Sequence, residues 1–123
     1  MDVTPLIPAG RQVIESYGTA GFRVSGVAHA GSILVFAEET LGWNVARPGD
    51  LTAASFAPVV GRGIEILLLG CGRQIAPLAA ALRQELRSRG IVVDVMDTGA
   101  ACRTYNILLA EERRVAAALI RPE

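Results

Sequence analysis

Two short stretches hold the residues best suited to chemistry: Gly70-Cys71-Gly72-Arg73 and Met96-Asp97-Thr98-Gly99. Each follows an apolar run and precedes a segment with helical spacing. In open α/β sheets, ligands bind beyond the carboxyl ends of the strands. Helix N-termini add free N–H groups and a positive dipole end, both favourable to anions. Glycines let the backbone approach a ligand closely. Arg73 and Arg103 bring guanidinium groups, whose planar fork grips two oxygens at once. The candidate anion or partner site is therefore Gly70, Cys71, Gly72, Arg73, Asp97, Thr98, Arg103 and Asn106. A phosphate or a carboxylate suits it. Asn106 is expected to hydrogen-bond a neighbouring loop, such as the Gly70 turn.

A plainer account competes with this one. The glycines permit tight strand-to-helix turns, and Asp97 or Thr98 caps the following helix. Gly70-Cys71-Gly72 lacks the third glycine of a dinucleotide fingerprint, and no Gly-Lys-Ser/Thr phosphate loop exists. Cys71 near a helix start resembles an activated thiol. Its only potential imidazole partner, His29, lies in a distant β-turn, so no Cys–His pair is expected. Two cysteines and one histidine give no zinc spacing. No catalytic residue, metal or cofactor is expected. Tyr105 is expected in the core with its hydroxyl at a polar edge. Trp43 suits a partner anchor or an ordinary core position equally, and Glu111-Glu112-Arg113-Arg114 reads as a solvated helix end.

The elements that must position these loops can be read from periodicity. Gln12–Tyr17, Phe22–Ala28 and Ile33–Ala37 read as three strands of an antiparallel meander with glycine turns between them. Asp50 is expected to cap a short helix from Leu51 to about Ala57. Ile64–Leu69 reads as a strand buried on both faces. Ile75, Leu78, Ala79, Leu82 and Leu86 form one apolar stripe, predicting a helix from about Ile75 to Arg89 with Pro77 in its first turn. Gly90 stops that helix, and Ile91–Val95 is expected as a second buried strand. Strand, helix and strand with short connections imply a parallel βαβ unit. The next helix runs to roughly Glu111, with Ala101, Tyr105, Leu108 and Leu109 inward. Arg114–Ile120, apolar after its first residue and ended by Pro122, is read as a final strand rather than more helix.

Length and composition bound the rest. A chain of 123 residues, 51% hydrophobic and only 5% aromatic, fits one α/β domain of helices layered on a sheet. Twelve basic and twelve acidic residues give zero formal charge, so no nucleic-acid partner is expected. Every basic residue is Arg, as codon bias in a GC-rich genome would produce. Cys71 and Cys102 are too few for a disulfide framework and are expected to stay free in a reducing compartment. Met1–Gly10 shows neither a secretory signal nor a transit peptide, and no apolar run reaches the ~20 residues of a membrane span. A cytoplasmic, bacterial protein is expected.

The run from Met96 through Asp97-Thr98-Gly99-Ala100-Ala101-Cys102-Arg103-Thr104-Tyr105-Asn106 to Glu111 also carries a family resemblance. It continues through Arg113–Ile120, and Leu67–Gly72, Gly90-Ile91, Gly31-Ser32 and Trp43 fit the same pattern. The chain resembles, from about Val13 to Ile120, the small-domain family that includes a mitochondrial assembly factor for respiratory complex I and an adipogenesis-associated cytosolic protein. That resemblance implies a layered α/β fold: a mixed central sheet, flanking helices and a small extra N-terminal β-layer. It implies no established enzymatic activity and a role exerted through protein partners. Cys71 stands where the family turn more often carries Thr or Ser, which argues against a general nucleophile there. The absent presequence argues against direct mitochondrial import. A non-enzymatic binding or assembly module is the expected function. The alternative is a small-anion or metabolite-binding protein, or an enzyme, using the loops at 70–73 and 96–99.

Overall fold

Three short strands early in the chain form a sheet of their own. They are β1 (Ile14–Gly18), β2 (Gly21–Val24) and β3 (Val27–Ala30), antiparallel in that order. The computed structural model describes residues 10–123, so the reading of Met1–Gly10 lies outside the described residues except for Gly10. The expected single strand Phe22–Ala28 is in fact two. Ser25 and Gly26, with φ of 44° and 84°, make a two-residue turn that pairs Val24 with Val27. Positive φ at both central residues matches the natural twist of a hairpin. The third expected meander strand corresponds to β4 (Ser32–Val35), which leaves this layer for a second sheet.

That second sheet is mixed, in the order β5-β4-β8-β6-β7. It adds β5 (Thr40–Trp43), β6 (Ile66–Gly70), β7 (Val92–Met96) and β8 (Val115–Leu119). β6 runs parallel to both neighbours, and β4 runs antiparallel to both of its own. The final segment is a strand, as its unbroken apolar character predicts, and it lies at the centre with every residue buried. β7 differs from expectation. It is an edge strand whose Val92 and Asp94 are exposed, while Val93 packs towards α1 and Met96 towards α2.

Two α-helices cover opposite faces of this sheet. Helix α1 (Ala80–Ser88) joins β6 to β7, and α2 (Thr98–Ala110) joins β7 to β8. Leu86 of α1 packs with Phe56, Leu67, Leu69, Val93 and Ala118. Ala101, Cys102, Tyr105 and Leu109 of α2 pack with Leu68, Ala117 and Leu119, and with Phe22 and Val24 of the small sheet. Helix α1 begins five residues later than the apolar stripe suggests, and Ile75 is exposed. Pro77 disfavours helical backbone at Ala76 and brings no N–H, and Ala79 at the N-cap offers no side-chain acceptor. Leu82 is only partly buried, which leaves Leu86 as the anchor. The expected helix at Leu51–Ala57 is a pair of 3-10 segments, Pro48–Asp50 and Ala53–Val59. Asp50 is not the cap; the Thr52 N–H donates to Ser55 Oγ at 3.0 Å. Trp43 is a core residue. Its indole N–H donates to the Ser55 carbonyl at 2.8 Å, and its ring meets Phe56 edge-on. Among the described residues no helix is long and apolar enough to cross a membrane.

Candidate binding site at the strand ends

The loops after β6 and β7 lie side by side, and Thr98 joins them. Its side chain is fully buried. Thr98 Oγ1 accepts from the Gly72 N–H at 2.8 Å and donates to the Ile120 carbonyl at 2.7 Å. The Thr98 N–H in turn donates to the Gly72 carbonyl at 2.8 Å. One residue thus ties β6, α2 and β8 together. Gly70 makes this approach possible: a Cβ there would stand 2.9 Å from Thr98 Cα and 3.1 Å from Leu119. Gly72, with φ of 94°, turns the chain away.

Several of the donors that an anion at the helix start would need are already engaged. Asp97 is the N-cap and accepts from the Ala100 N–H at 2.9 Å, as anticipated for one of the two capping candidates. The Ala101 N–H is bound by the Asp97 carbonyl, and the Cys71 N–H by Met96. Above Gly99 lies Tyr17: a Cβ on Gly99 would meet its hydroxyl at 2.5 Å. The missing side chain at Gly99 is what admits this ring, which stays 46% exposed.

Around this tie the surface opens into two cavities that share Gly72 and Arg73. One, of about 340 Å³, is lined by Tyr17, Thr19, Arg73, Asp97 and Gly99 among others. The other, of about 400 Å³, is lined by Arg47, Cys71, Arg73, Arg121 and Glu123 among others. Arg47 and Arg73 make no ion pair with a described residue, whereas Arg121 donates to the Thr19 carbonyl. The Arg103 guanidinium folds back towards the helix start, 3.3 Å from where a Gly99 Cβ would stand. Asn106 is elsewhere: it accepts from the Ile14 N–H at 3.0 Å and donates to the Ile14 carbonyl at 2.8 Å, pinning β1 to α2. Sequence reasoning placed Arg73 but missed Tyr17, Arg47 and Arg121. An aromatic residue at a strand end before Gly18 is the one local signal that could have pointed to Tyr17.

The thiols are poorly placed for nucleophilic work. Cys71 packs on the α1 side of the sheet and Cys102 on the α2 side, both free and buried. Burial pushes the Cys71 thiol up, against a weak bond to the Ala76 carbonyl, and pushes Cys102 up to about 12. Tyr105 is fully buried, donates to the Gln12 carbonyl at 3.0 Å, and is likewise raised by burial.

These features define a layered α/β protein with two adjoining cavities beside the ends of β6 and β7 in a mixed sheet. The chain belongs to the protein family of unknown function DUF498/DUF598, whose pattern spans residues 14–120. It is 38% identical over 112 residues to an uncharacterised protein of Rhodobacter capsulatus, covering 91% of this chain and 86% of that one. It is 40% identical over 112 residues to the NADH dehydrogenase [ubiquinone] 1 alpha subcomplex assembly factor 3 of Danio rerio. That match covers 89% of this chain and 64% of the assembly factor's length. The fold superposes on a crystal structure described as an outer membrane protein from Bartonella henselae, with a TM-score of 0.84 and 39% identity. There the match spans 96% of this chain and 100% of the other.

Proposed function

We propose that this chain is a non-enzymatic binding module that assists assembly of a protein complex, docking an acidic segment of its partner at the strand ends. The observation that carries this reading is the rim of the two cavities. An aromatic ring, Tyr17, stands half exposed beside Arg73, with Arg47 and Arg121 across the shared loop. Tyr and Arg are the residues that most often anchor protein interfaces. Asp97 is engaged as a cap, which leaves Glu123 as the acid among the named lining groups. The relationship to a protein named as an NADH dehydrogenase assembly factor supports assembly as the kind of work. The buried, free thiols agree with it.

The test is genetic. Deleting the gene in its host should reduce assembled NADH dehydrogenase on native gels, and the wild-type gene should restore it. Arg47→Glu with Arg73→Glu should fold normally by circular dichroism yet fail to restore assembly. Full assembly in the deletion strain, or full rescue by the reversed-charge variant, would defeat the proposal. The 400 Å³ cavity itself favours a second reading, a free small anion held by Arg47, Arg73 and Arg121. Saturable binding of inorganic phosphate, lost in the same variant, would select it.

A further inference from the structure

A different cavity lies at the opposite end of the sheet, where β6 and β8 begin and β4 ends. Its volume is about 310 Å³. Ala37 and Ile64, partly buried, form an apolar floor backed by the buried Phe36, Leu109 and Val115. Charged residues of both signs form the rim: Arg11, Arg62, Arg114, Glu38 and Glu112.

The rim groups differ in how far they are already engaged. Arg62 lies over the Phe36 ring at 3.8 Å, pairs with Glu39 at 2.6 Å, and donates to the Pro58 carbonyl at 2.9 Å. Arg11 pairs with Glu38 at 2.8 Å. Arg113, also lining the cavity, is held by Glu65. Arg114 is the least engaged guanidinium, 3.8 Å from Glu65 and 72% exposed. Glu112 makes no ion pair with a described residue.

Glu112 is also an unexpected residue for its place. It ends α2 in the left-handed region, with φ of 59°. Its N–H donates to the Leu109 carbonyl and the Arg113 N–H to the Leu108 carbonyl, each at 3.0 Å. In this helix-closing pattern glycine is the favoured residue, because a Cβ in left-handed backbone is strained. A carboxylate is therefore kept at a position where the backbone favours glycine, on the rim of a cavity.

A loosely paired guanidinium, a carboxylate with no ion pair among the described residues and an apolar floor form a recognition set for a small zwitterion. We infer that this cavity binds a free α-amino acid with an apolar or aromatic side chain. Arg114 takes the carboxylate, Glu112 takes the ammonium, and the side chain lies against Ala37 and Ile64. Polar groups at the rim then fix orientation while the floor supplies apolar contact, the usual division in small-ligand sites.

Titration calorimetry on the full chain tests this with L-phenylalanine and L-leucine as probes. The controls are 3-phenylpropionate, which lacks the ammonium, and phenethylamine, which lacks the carboxylate. The amino acids should bind saturably, and each control should bind several-fold more weakly, since each forgoes one of the two ion pairs. Arg114→Ala should weaken L-phenylalanine but not phenethylamine. Glu112→Gly should raise the melting temperature and yet weaken L-phenylalanine several-fold, because it relieves the backbone while deleting the ammonium partner. Glu112→Gln, which keeps the side chain's size, should lose the same binding. Absence of saturable binding by both amino acids overturns the inference. So does equal binding by the controls, or full affinity in Glu112→Gln. The strand-end variant Arg47→Glu with Arg73→Glu should bind the amino acids normally, which keeps this site separate from the one proposed for partner docking.

Discussion

Thr98 shows how much one hydroxyl can hold. It serves a buried N–H and a buried carbonyl at once, on two different strand ends. Thr98→Val keeps the shape and removes both bonds. Each orphaned backbone group should cost roughly 1–3 kcal/mol, a loss readable as a lower urea midpoint with unchanged slope. An unchanged midpoint would mean that Thr98 is not the tie described. The thiols give a second prediction at this scale. A Cys102 thiol raised to about 12 stays protonated through the neutral range, so native protein should react slowly with thiol reagents at pH 8. Unfolded protein should release both thiols quickly. Because the folded state holds these protons more tightly, the stability they contribute is complete below the ordinary thiol range. It is lost as pH rises towards 12. Rapid labelling of native Cys102 would contradict the burial seen here.

Among the elements, α1 and β8 mark the limits of what the chain spells out. β8 is legible because an unbroken run of Val, Ala, Leu and Ile has no polar face to offer water, and the structure buries all of it. The start of α1 is not legible from spacing, since Ile75 and Leu78 fit the stripe while Pro77 vetoes the backbone it requires. The Ser25-Gly26 hairpin is hidden for a related reason. Alternation continues through the turn and masks the Ser25-Gly26 dipeptide, itself a turn signal, whose positive φ values make the break. The site was legible where it rests on local sequence, as with Asp97, Thr98 and Arg73. It was hidden where it rests on distant approach: Tyr17 reaches Gly99 across more than eighty positions of chain, and no short-range pattern encodes that. Leu86 carries the α1 contact with the sheet, so Leu86→Ala should cost roughly 2–5 kcal/mol, several times the effect of Leu82→Ala. Equal losses from the two would place the helix face wrongly.

Across the whole molecule, a formal charge of zero conceals a polarity. At the end where β6 and β8 begin, Arg11, Arg62, Arg113 and Arg114 face Glu38, Glu39 and Glu65. At the other end Arg47, Arg73 and Arg103 have no such partners among the described residues. Exposed charges beyond about a Debye length are screened by salt, so this polarity should show at low ionic strength. The protein should be retained on a cation-exchange resin at pH 7 in dilute buffer despite its neutral sum. Arg47→Glu with Arg73→Glu should flow through. Flow-through of the wild type would mean that the positive end is neutralised in solution.

The position of β8 has a consequence in time. It is the central strand, with β4 on one side and β6 on the other, yet it follows every other strand in the chain. Until β8 is made, β4 with β5 and β6 with β7 can form no more than two separate half-sheets, each with an unpaired edge where β8 will lie. Neither can reach the other until the residues from Val115 to Leu119 are translated and fitted between them. Until then the nascent chain exposes the edges that promote association between chains. A ribosome stalled just before this segment should hold a chain that proteases cut readily and chaperones occupy. The whole chain, held on the ribosome through an added C-terminal linker long enough to clear the exit tunnel, should be resistant, and the change should be abrupt.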